Sequence, residues 1–587
     1  MVGWSTVIFS WSTLWVVTTI NPGSKEHEQR LLTLPDDNKS IPKGRRRQQS
    51  LAHRQASIKE RNVVSVRAKK DQPQFIYNRV YVGMRPGKCH EYNLGNDTSL
   101  LTRDERFQEF MDRPYAVIPQ GVGKRIDEGK AYLLISPKWT GFKAGWLESQ
   151  TETYNVFRVD RFAAWSGLVP NELKEDLDLS PRYSSLRILQ NGDYLVGNDL
   201  ELEDAWRRYK DYLLRKEKDI GIRVKSTTSA KFNLASMLVS DGVIPWTSRT
   251  VTESWRWSSD INLRPYQQQA MDFFIKHGAM TIVYPFGAGK TLFGVQAISC
   301  VSDRTLVVVP SVSHIAVWQK YIEEHLRKNN KNNNNTKPRL GLFYGGSRKD
   351  VVKYADIIVS TYESALTYLT HDRFKLLIFD ECHHFPANTY SRLAFLDADY
   401  RLGLSGSPYR EDGRSELIYV LSGHPYGSDW DRLFEEGWVK KPEITLHVTS
   451  SKIMLMQSLL QTLKGNTIIF CDSLSLGDDA SRLTGLPFIY GEHSLKERIE
   501  ALDKHKRFIC SRIFDEGMDM PDVKNIIELD FLGGSRRQQL QRVGRLMHSL
   551  VDGVEYHLLM SPEELQKYER RLYGLYSRQF KVNVLKY

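Results

Sequence analysis

The feature that most constrains the fold is a regular alternation of short apolar runs with helical segments, which begins near residue 263. The runs are rich in Val, Ile, Leu and Phe and lack the polar alternation of a strand with one wet face. Continuous apolar strands that alternate with helices form parallel sheets covered on both faces. Two series of runs flank a break near residue 440: 281–284, 305–309, 357–360, 376–379 and 402–404, then 467–470, 488–490, 508–511 and 525–529. The pattern predicts two tandem α/β domains, each with a parallel sheet.

Length and local composition divide the chain into four parts. At 587 residues the chain is too long to form a single domain, since a domain usually holds roughly 100–200 residues. Residues 1–72 are predicted to be a disordered, basic leader, because from residue 24 onward few apolar side chains offset the entropy of ordering. Residues 73–255 are expected to form a smaller α+β accessory domain, a candidate DNA-binding domain. The two α/β domains are expected at residues 256–440 and 441–587.

The first 20 residues carry no charge and many Ser and Thr residues. Their length could span a bilayer. No Lys or Arg precedes the apolar residues, and no small-residue cleavage site follows them, which argues against a signal peptide. A disordered leader is therefore favoured over a membrane anchor or a targeting peptide, and no membrane partner is expected.

Charge and cysteine usage narrow the partners and the compartment. The net charge of +12 favours polyanionic partners such as nucleic acid, although it is also compatible with a merely soluble surface. The five cysteines are dispersed, odd in number and form no CxxC pair. This usage indicates a reducing, intracellular compartment and argues against a zinc ribbon or an iron–sulfur cluster. It does not distinguish the cytoplasm from the nucleus, and the sequence identifies no protein partner.

A glycine-containing segment, which we call the phosphate loop, stands between an apolar run and a helical pattern: Phe286-Gly287-Ala288-Gly289-Lys290-Thr291. Glycine lets a backbone curl around phosphate, and the following helix N-terminus adds positive potential. Lys290 would contact the β- and γ-phosphates of ATP, and Thr291 would bind Mg²⁺ through its hydroxyl. The full pattern GxxxxGK[ST] requires glycine where this chain has Tyr284, so a chance loop stays an alternative.

Two acids, Asp380 and Glu381, directly follow the apolar run 376–379. At the end of a buried strand, Asp380 can face the phosphate loop and hold Mg²⁺, mainly through water. Glu381 can orient and deprotonate an attacking water. A strand-end turn with two solvated acids is the structural alternative. Together with the phosphate loop, the pair predicts nucleotide hydrolysis.

A third cluster lies in the second α/β series and consists of Gln541, Arg542 and Arg545. Phosphoryl transfer needs cationic charge on the γ-phosphate oxygens, and an arginine from another domain supplies that charge only when the domains close. This would link hydrolysis to domain motion. A solvated face of a Gln/Arg-rich helix is the alternative.

With these elements in this order, residues 263–548 resemble the superfamily 2 helicases, and within them most closely the XPB family. The resemblance rests on Leu263-Arg264-Pro265-Tyr266-Gln267, Val309-Pro310-Ser311, Ser360-Thr361-Tyr362, Leu404-Ser405-Gly406-Ser407-Pro408, Arg410-Glu411-Asp412, Asp515-Glu516-Gly517-Met518-Asp519-Met520-Pro521 and Gly533-Gly534-Ser535-Arg536-Arg537-Gln538. It implies two RecA-like domains that bind ATP between them and a nucleic-acid strand across their tops. Phage branch-migration helicases of the UvsW kind share this compact core and are close rivals.

The resemblance also implies roles for individual residues. Arg264 and Gln267 would lie at the adenine, and Gly517 and Asp519 would contact the nucleotide. Contacts with the nucleic-acid strand are implied for Pro310, Ser311, Thr361, Tyr362, Arg410, Glu411 and Asp412.

Two positions depart from the family pattern. His548 replaces the last arginine of QRxGRxxR, so either Arg545 carries more of the γ-phosphate sensing or His548 contributes when protonated. Gly406 stands at the middle of a motif that is Ser/Thr-Ala-Thr in the family.

The main hypothesis is an ATP-dependent DNA helicase or translocase that acts in repair, recombination or transcription. DNA is favoured over RNA because the resemblance is to DNA motors, and no reader of the 2′-hydroxyl is recognisable. An RNA helicase and a nucleic-acid-binding scaffold switched by ATP are the alternatives. The translocation module of a restriction system is disfavoured because no nuclease motif is present.

Overall fold

The computed structural model describes residues 6–8, 14–20, 63–64, 77–85, 88–93, 116–120, 131–137, 142–150, 154–177, 179, 184–189, 192–246, 257–328, 337–347, 349–384, 391–406, 408, 415–427, 429–493, 495–514, 522–533, 535–548, 551–578 and 580–587. The chain falls into two compact units, residues 1–160 with 175–179 and residues 161–174 with 180–587. Within the described part, no helix is both long enough and apolar enough to cross a bilayer.

In the first unit, the described elements before residue 161 are strands. They are β1 (Thr6–Ile8), β2 (Leu14–Ile20), β3 (Val63–Val64), β4 (Tyr77–Arg85), β5 (Lys88–Asn93), β6 (Ala116–Gln120), β7 (Ala131–Pro137), β8 (Trp146–Gln150) and β9 (Tyr154–Asp160). Two sheets result, in the orders β1-β2-β4-β5-β3 and β6-β7-β9-β8. The second sheet buries Leu134, Val156 and Val159 completely. Most of the leader predicted to be disordered lies outside the described residues, and the parts that are described are strands.

A small α+β element opens the second unit. Helices α1 (Arg161–Trp165) and α2 (Asn171–Asp176) precede it in the chain. The element consists of β10 (Arg187–Leu189), β11 (Tyr194–Val196), α3 (Asp199–Arg208), β12 (Leu213–Glu217), β13 (Gly221–Val224) and α4 (Thr228–Ser240). Its strands form an antiparallel sheet in the order β10-β11-β13-β12. Side-chain oxygens of Asn198 and Thr227 cap the two helices of this element by accepting backbone hydrogen bonds, as favoured at helix N-termini.

The first α/β domain surrounds a seven-stranded sheet in the order β18-β19-β16-β20-β21-β15-β22, in which every pair is parallel. Its strands, with a flanking antiparallel pair β14–β17, are β14 (Trp257–Ser259), β15 (Ala279–Val283), β16 (Thr305–Val309), β17 (Leu326–Lys328), β18 (Leu340–Phe343), β19 (Ile357–Thr361), β20 (Arg373–Phe379), β21 (Asp397–Ser405) and β22 (Pro425–Gly427). Its helices are α5 (Pro265–His277), α6 (Lys290–Val301), α7 (Val312–His325), α8 (Tyr362–Tyr368), α9 (Glu416–Ser422) and α10 (Trp430–Glu435).

The second α/β domain repeats this architecture with a parallel sheet in the order β25-β26-β24-β27-β28-β23-β29. Its strands are β23 (Glu443–Val448), β24 (Asn466–Phe470), β25 (Phe488–Ile489), β26 (Arg507–Cys510), β27 (Val523–Glu528), β28 (Glu555–Met560) and β29 (Val582–Lys586). Its helices are α11 (Lys452–Thr462), α12 (Leu474–Thr484), α13 (Leu495–Lys504), α14 (Arg536–Met547), α15 (Pro562–Tyr568) and α16 (Tyr573–Ser577).

The prediction of two tandem RecA-like parallel sheets is confirmed. All residues of β15 and β16 are buried, as expected of strands covered by helices on both faces. In an α/β sheet, ligands bind beyond the carboxyl ends of the strands, and the segments that follow β15 and β20 carry the predicted chemistry. The domain boundaries after residues 72, 255 and 440 stay predictions.

Candidate active site

The phosphate loop joins the buried strand β15 to helix α6, which begins at Lys290. Gly287 (φ 79°) and Gly289 (φ 77°) both adopt left-handed backbone conformations that residues with a Cβ rarely tolerate. Space is restricted as well, because a Cβ would stand 2.6 Å from the Met547 carbonyl oxygen at the first glycine and 2.9 Å from Gln267 Nε2 at the second. Both glycines are therefore required by conformation and by packing.

Tyr284, which occupies the place of the missing glycine, belongs to the core at the end of β15. Its side chain is fully buried, its hydroxyl donates to the Tyr266 carbonyl oxygen at 3.1 Å, and the two rings meet edge to face at 5.2 Å. The turn begins only after this residue, so the loop curls through its two later glycines without one at position 284.

Lys290 folds back over the phosphate loop. Its Nζ donates to the carbonyl oxygens of Tyr284 at 3.3 Å and Pro285 at 3.2 Å. It also lies 4.7 Å from the centre of the Phe286 ring, within the range of a cation–π attraction. The ammonium group is thus held at the mouth of the loop by weak, exchangeable contacts, from which it can turn towards an anion.

The two acids follow β20 directly, and the first of them is fixed by hydrogen bonds. Asp380 is 7% exposed; its Oδ2 accepts a hydrogen bond from Trp318 Nε1 at 2.8 Å, and its Oδ1 accepts one from the Glu381 backbone N–H at 3.0 Å. Burial lowers the pKa of Lys290, whereas the nearby charges of Glu381 and Asp380 raise it. The ammonium group of Lys290 therefore interacts electrostatically with both carboxylates of the acid pair.

Glu381 reaches the second α/β domain through His383. The Glu381 carboxylate lies 3.2 Å from Nδ1 of His383, and the same nitrogen lies 2.9 Å from the Ser405 hydroxyl. On the other side of the ring, Nε2 lies 3.3 Å from the Gln541 amide nitrogen, and Arg537 Nη1 donates to the His383 carbonyl at 3.5 Å. The predicted residue Gln541 thus meets the acid segment.

A second junction between the domains is formed by the ring of Phe286. A Cβ built on Gly406, after β21, would stand 2.8 Å from the ring, and one built on Gly544, in α14, would stand 2.3 Å from it. The ring therefore fills the space left by two glycines from different domains. The departure of Gly406 from the family pattern has a physical reason, since an alanine methyl would collide with the ring.

His548, directly after α14, lies close to the phosphate loop, with its ring centre 6.3 Å from that of Phe286. Arg545 is half-buried on α14, and its catalytic role stays a prediction. Desolvation, followed by the positive charges of Lys290 and Arg545, lowers the pKa of His548. The residue is nevertheless exposed to solvent, so this shift does not decide its protonation state, and the contribution expected of a protonated His548 stays a prediction.

Arg542 does not join this group. Its guanidinium is fully buried within the second domain, where it donates to Glu528 at 2.5 Å and to Asp472 at 2.6 Å and stacks 4.6 Å over the Phe470 ring. Since two carboxylates already bind it, the catalytic role predicted for this arginine needs correction: its contacts hold α14 against the sheet.

Gln267 and Arg264 lie beside the phosphate loop. Gln267 Oε1 accepts from the Arg264 backbone N–H, and its Nε2 donates to the Ala288 carbonyl oxygen, both at 2.9 Å. The Arg264 guanidinium stacks 5.1 Å over the Trp438 ring and donates to the Trp438 carbonyl oxygen and the Tyr266 hydroxyl, each at 3.2 Å. The Gln267 amide, which is predicted to contact the adenine, is thus hydrogen-bonded to the backbone of the phosphate loop. The stacked side chains of Arg264 and Trp438 lie next to it.

The residues predicted to contact nucleic acid divide into two groups. Pro310, Ser311 and Thr361 are partly exposed at the ends of β16 and β19. Tyr362 is only 4% exposed; its ring stacks on Phe379 at 6.4 Å. Its predicted contact with a strand is therefore wrong, because the side chain points into the core. The predictions for Arg410, Glu411, Asp412, Gly517 and Asp519 lie outside the described residues.

The oxygen donors near the loop fit Mg²⁺. No cluster of three or more His, Cys, Asp or Glu residues suited to a metal occurs in the described part of the chain. Mg²⁺ usually takes only one or two protein oxygens and completes its shell with water and nucleotide phosphates. A buried Asp380 carboxylate and the Thr291 hydroxyl at the start of α6 match that demand.

Four residues of this site escape sequence reasoning: Trp318, His383, Phe286 and Trp438. His383 carries a signal, since it stands two residues after the acid pair in Asp380-Glu381-Cys382-His383. The only sequence signal for Phe286 is that it is a large residue in the loop, while Gly406 and Gly544, which face it, are small. The roles of the two tryptophans depend on tertiary contacts alone.

Two family models match the α/β domains. Residues 260–410 match the type III restriction enzyme res subunit, and residues 436–581 match the ERCC3/RAD25/XPB C-terminal helicase. Both matches fall on the part of the chain that contains the site.

Three relatives illustrate the similarity. The chain is 34% identical over 328 residues to a putative DNA 3'-5' helicase Rad25 of Halobacterium salinarum, covering 49% of this chain and 52% of the relative. It is 25% identical over 493 residues to the DNA 3'-5' helicase XPB of Mycobacterium tuberculosis (69% and 85%). It is 26% identical over 375 residues to the general transcription and DNA repair factor IIH helicase/translocase subunit XPB of Drosophila melanogaster (55% and 46%). The chain spans about half the length of this Halobacterium relative and of a putative DNA 3'-5' helicase Rad25 of Haloarcula marismortui.

Solved structures give a more distant likeness. Two structures of Dbp5 of Saccharomyces cerevisiae, bound to RNA and ADP BeF3, align with 55% of this chain and 89% of their own at 14–15% identity and TM-scores of 0.43–0.44. Lhr of Mycobacterium smegmatis, bound to ssDNA and AMP-PNP, aligns with 55% of this chain and 49% of its own at 17% identity and a TM-score of 0.42.

Proposed function

Because residues 260–581 carry an XPB-like superfamily 2 helicase core, we propose that this protein couples ATP hydrolysis to movement along DNA, as a helicase or translocase. The proposed direction is 3'-5', which the names of the haloarchaeal and mycobacterial relatives state. The proposed setting is DNA repair, recombination or transcription, in keeping with the name of the Drosophila relative.

The observation that supports this proposal most directly is that the second α/β domain contacts both the phosphate loop and the segment of the acid pair in the first. Gln541 of the second domain meets His383 at 3.3 Å, and Gly544 packs against Phe286. A change in the conformation of the loop therefore alters the contacts of α14. In the same way, a rotation of the second domain displaces the groups around the loop. Such a contact supports a motor, in which nucleotide binding and domain closure are one event.

Each residue of the site has a distinct task in the proposed reaction. Lys290 turns from the loop carbonyls to the β- and γ-phosphates, and the Glu381 carboxylate accepts a proton from the attacking water. Arg545 adds positive charge at the transferred phosphoryl group. Mg²⁺, held by Asp380 and Thr291, would neutralise phosphate charge.

Movement along DNA would follow from alternating grip by the two domains on the sugar–phosphate backbone. The net charge of +12 supports a sequence-independent grip that weakens steeply with salt. Pro310, Ser311 and Thr361, which are partly exposed at the ends of neighbouring parallel strands, are the proposed contacts of the first domain.

The test is ATP turnover with single-stranded, duplex or branched DNA, or RNA, added in turn. We expect DNA to stimulate turnover, and Lys290→Ala and Glu381→Gln to reduce it at least a hundredfold, since loss of a transition-state contact typically costs 10²–10³ in rate. Lys276→Ala, an exposed lysine on α5, is the matched control and should behave like the wild type. Turnover that survives Lys290→Ala, or that RNA alone stimulates, would refute the proposal.

An ATP-switched scaffold is the second candidate. It is favoured by His548, which stands where the family pattern has an arginine. A scaffold would bind DNA in an ATP-dependent way but release at most one phosphate per protein molecule. Counting phosphate released per bound nucleotide separates the two candidates.

A further inference from the structure

Asp380 receives a hydrogen bond from each of two aromatic side chains that belong to different helices. Trp318, in the middle of α7, donates its indole N–H to Oδ2 of Asp380 at 2.8 Å. Tyr362, the first residue of α8, donates its hydroxyl to the Asp380 carbonyl oxygen at 3.0 Å. One bond fixes the carboxylate and the other fixes the backbone, so both helices determine where this acid points.

Both donors are rigid. Trp318 is fully buried, and the edge of its ring leaves no room for a Cβ at Gly294 of α6, which would stand 2.4 Å away. Tyr362 is 4% exposed and stacks on Phe379, the residue before Asp380. In a close-packed core such side chains move with their helices and not independently. A displacement of α7 or α8 is therefore expected to shift Asp380.

The same two helices follow directly on proposed strand contacts. Ser311 precedes α7, and its hydroxyl lies 2.8 Å from Nδ1 of His314, which is one helical turn before Trp318 on the same face. Thr361 immediately precedes Tyr362, and its side chain caps α8. Each proposed contact is thus linked to Asp380 through a short stretch of packed helix.

We propose that Trp318 and Tyr362 are positioning residues that link the binding of a nucleic-acid backbone at Ser311 and Thr361 to the affinity of the site for Mg²⁺-bound nucleotide. This inference rests on the proposed function, because it assumes that a strand contacts those residues. Strand binding favours the Asp380 orientation that accepts Mg²⁺. By thermodynamic reciprocity, Mg²⁺-nucleotide strengthens strand binding by the same factor.

The test uses the full-length protein and two conservative variants. Trp318→Phe removes the indole N–H, and Tyr362→Phe removes only the hydroxyl. The matched control is Trp257→Phe, since Trp257 is also buried and its Nε1 has no hydrogen-bond partner among the described residues. The dissociation constant of ATPγS is measured with Mg²⁺ and with EDTA, each with and without a single-stranded DNA oligomer.

In the wild type and the control, we expect the oligomer to tighten Mg²⁺-ATPγS binding about 5- to 100-fold, the usual range for coupled sites. Each variant should reduce this factor towards one, and should weaken Mg²⁺-dependent binding even without DNA, while affinity in EDTA stays unchanged. If Trp318→Phe unfolds the chain, Tyr362→Phe carries the test alone.

Two results would overturn the inference. One is full coupling in both variants, and the other is a parallel loss of affinity in EDTA, which would indicate a merely structural role. A wild type that binds no nucleic acid would instead refute the proposed function and the linkage together. The comparison of Mg²⁺ with EDTA in the absence of DNA would then still decide whether Trp318 and Tyr362 position Asp380.

Discussion

The ring of Phe286 faces Gly544 so closely that a Cβ on this glycine would stand 2.3 Å from the ring. The phenylalanine belongs to the phosphate loop of the first α/β domain, and the glycine to α14 of the second. A single methyl group at position 544 would therefore act on closure of the domains more than on the helix that carries it.

We expect Gly544→Ala to reduce DNA-stimulated ATP turnover at least tenfold, and Phe286→Ala in the same chain to restore much of it. Helix propensity alone predicts the opposite sign, because alanine stabilises a helix interior by about 1 kcal/mol relative to glycine. A double-mutant cycle on turnover measures the coupling. Additive effects of the two substitutions would show that the ring does not join the domains.

Glu528→Gln should destabilise the second α/β domain severely. The fully buried Glu528 carboxylate binds both Arg542 and Arg571 and accepts a hydrogen bond from Tyr556. Breaking a buried pair typically costs about 3–5 kcal/mol, since an uncompensated charge stays behind. Denaturant unfolding is the measurement.

The matched control for this prediction is Glu203→Gln, which removes an exposed ion pair with Lys216 and should change stability little. Equal stability of the two variants would contradict the structural role assigned to Arg542.

Trp438→Ala should weaken the binding of ADP but not that of inorganic tripolyphosphate. The indole is 37% exposed and stacks with the Arg264 guanidinium beside the phosphate loop, so it offers a platform for a nucleobase. Loss of an aromatic stacking partner typically costs about 1–3 kcal/mol, which corresponds to roughly 5- to 150-fold in affinity. Calorimetric titration of both ligands is the measurement.

Trp438→Phe keeps an aromatic face and should retain most of the affinity for ADP. An equal loss of affinity for ADP and for tripolyphosphate in Trp438→Ala would indicate that the phosphate loop is distorted, and not that a stacking surface for the nucleobase is lost.

Stability should fall as the pH drops from 6.5 towards 4, in part because of the buried pair His447 and His557. Their ring nitrogens lie 3.1 Å apart. Desolvation, and for His447 the neighbouring His557 as well, lowers the pKa of each to about 4. The unfolded chain, with pKa values near 6.5, then binds more protons than the folded one between these limits. Stability from the neutral pair is thus complete above pH 6.5 and is lost down to about pH 4.

Replacing His557 by Gln should make unfolding free energies measured between pH 7 and pH 4.5 less dependent on pH. His371→Gln, at an exposed position, should leave the slope as in the wild type. An unchanged slope in His557→Gln would contradict the assignment of a neutral buried pair.

The two parallel sheets could be predicted because their central strands, such as β15 and β16, are uninterrupted apolar runs. The strands that escaped the prediction include two edge strands: β18 alternates between buried and half-buried residues, and β29 is largely exposed. They also include β23 and β28 inside the second sheet, whose apolar runs are broken by Glu and His. An edge strand has only one neighbour, so pairing and not composition decides its structure. The phosphate loop and the acid pair could be placed because short-range chemistry defines them. Arg542 and Arg545 differ in burial because α14 turns Arg542 into the domain, where two carboxylates bind it, and leaves Arg545 half-buried, which no local pattern records.

Glu381 holds a left-handed backbone, with φ of 44°, that glycine or asparagine would adopt at lower cost. A non-glycine residue in this conformation lowers the free energy of unfolding by roughly 1–2 kcal/mol. In return, the chain has a carboxylate next to His383. Glu381→Asn would therefore relieve the backbone and raise the free energy of unfolding while it shortens the carboxylate side chain to a neutral amide.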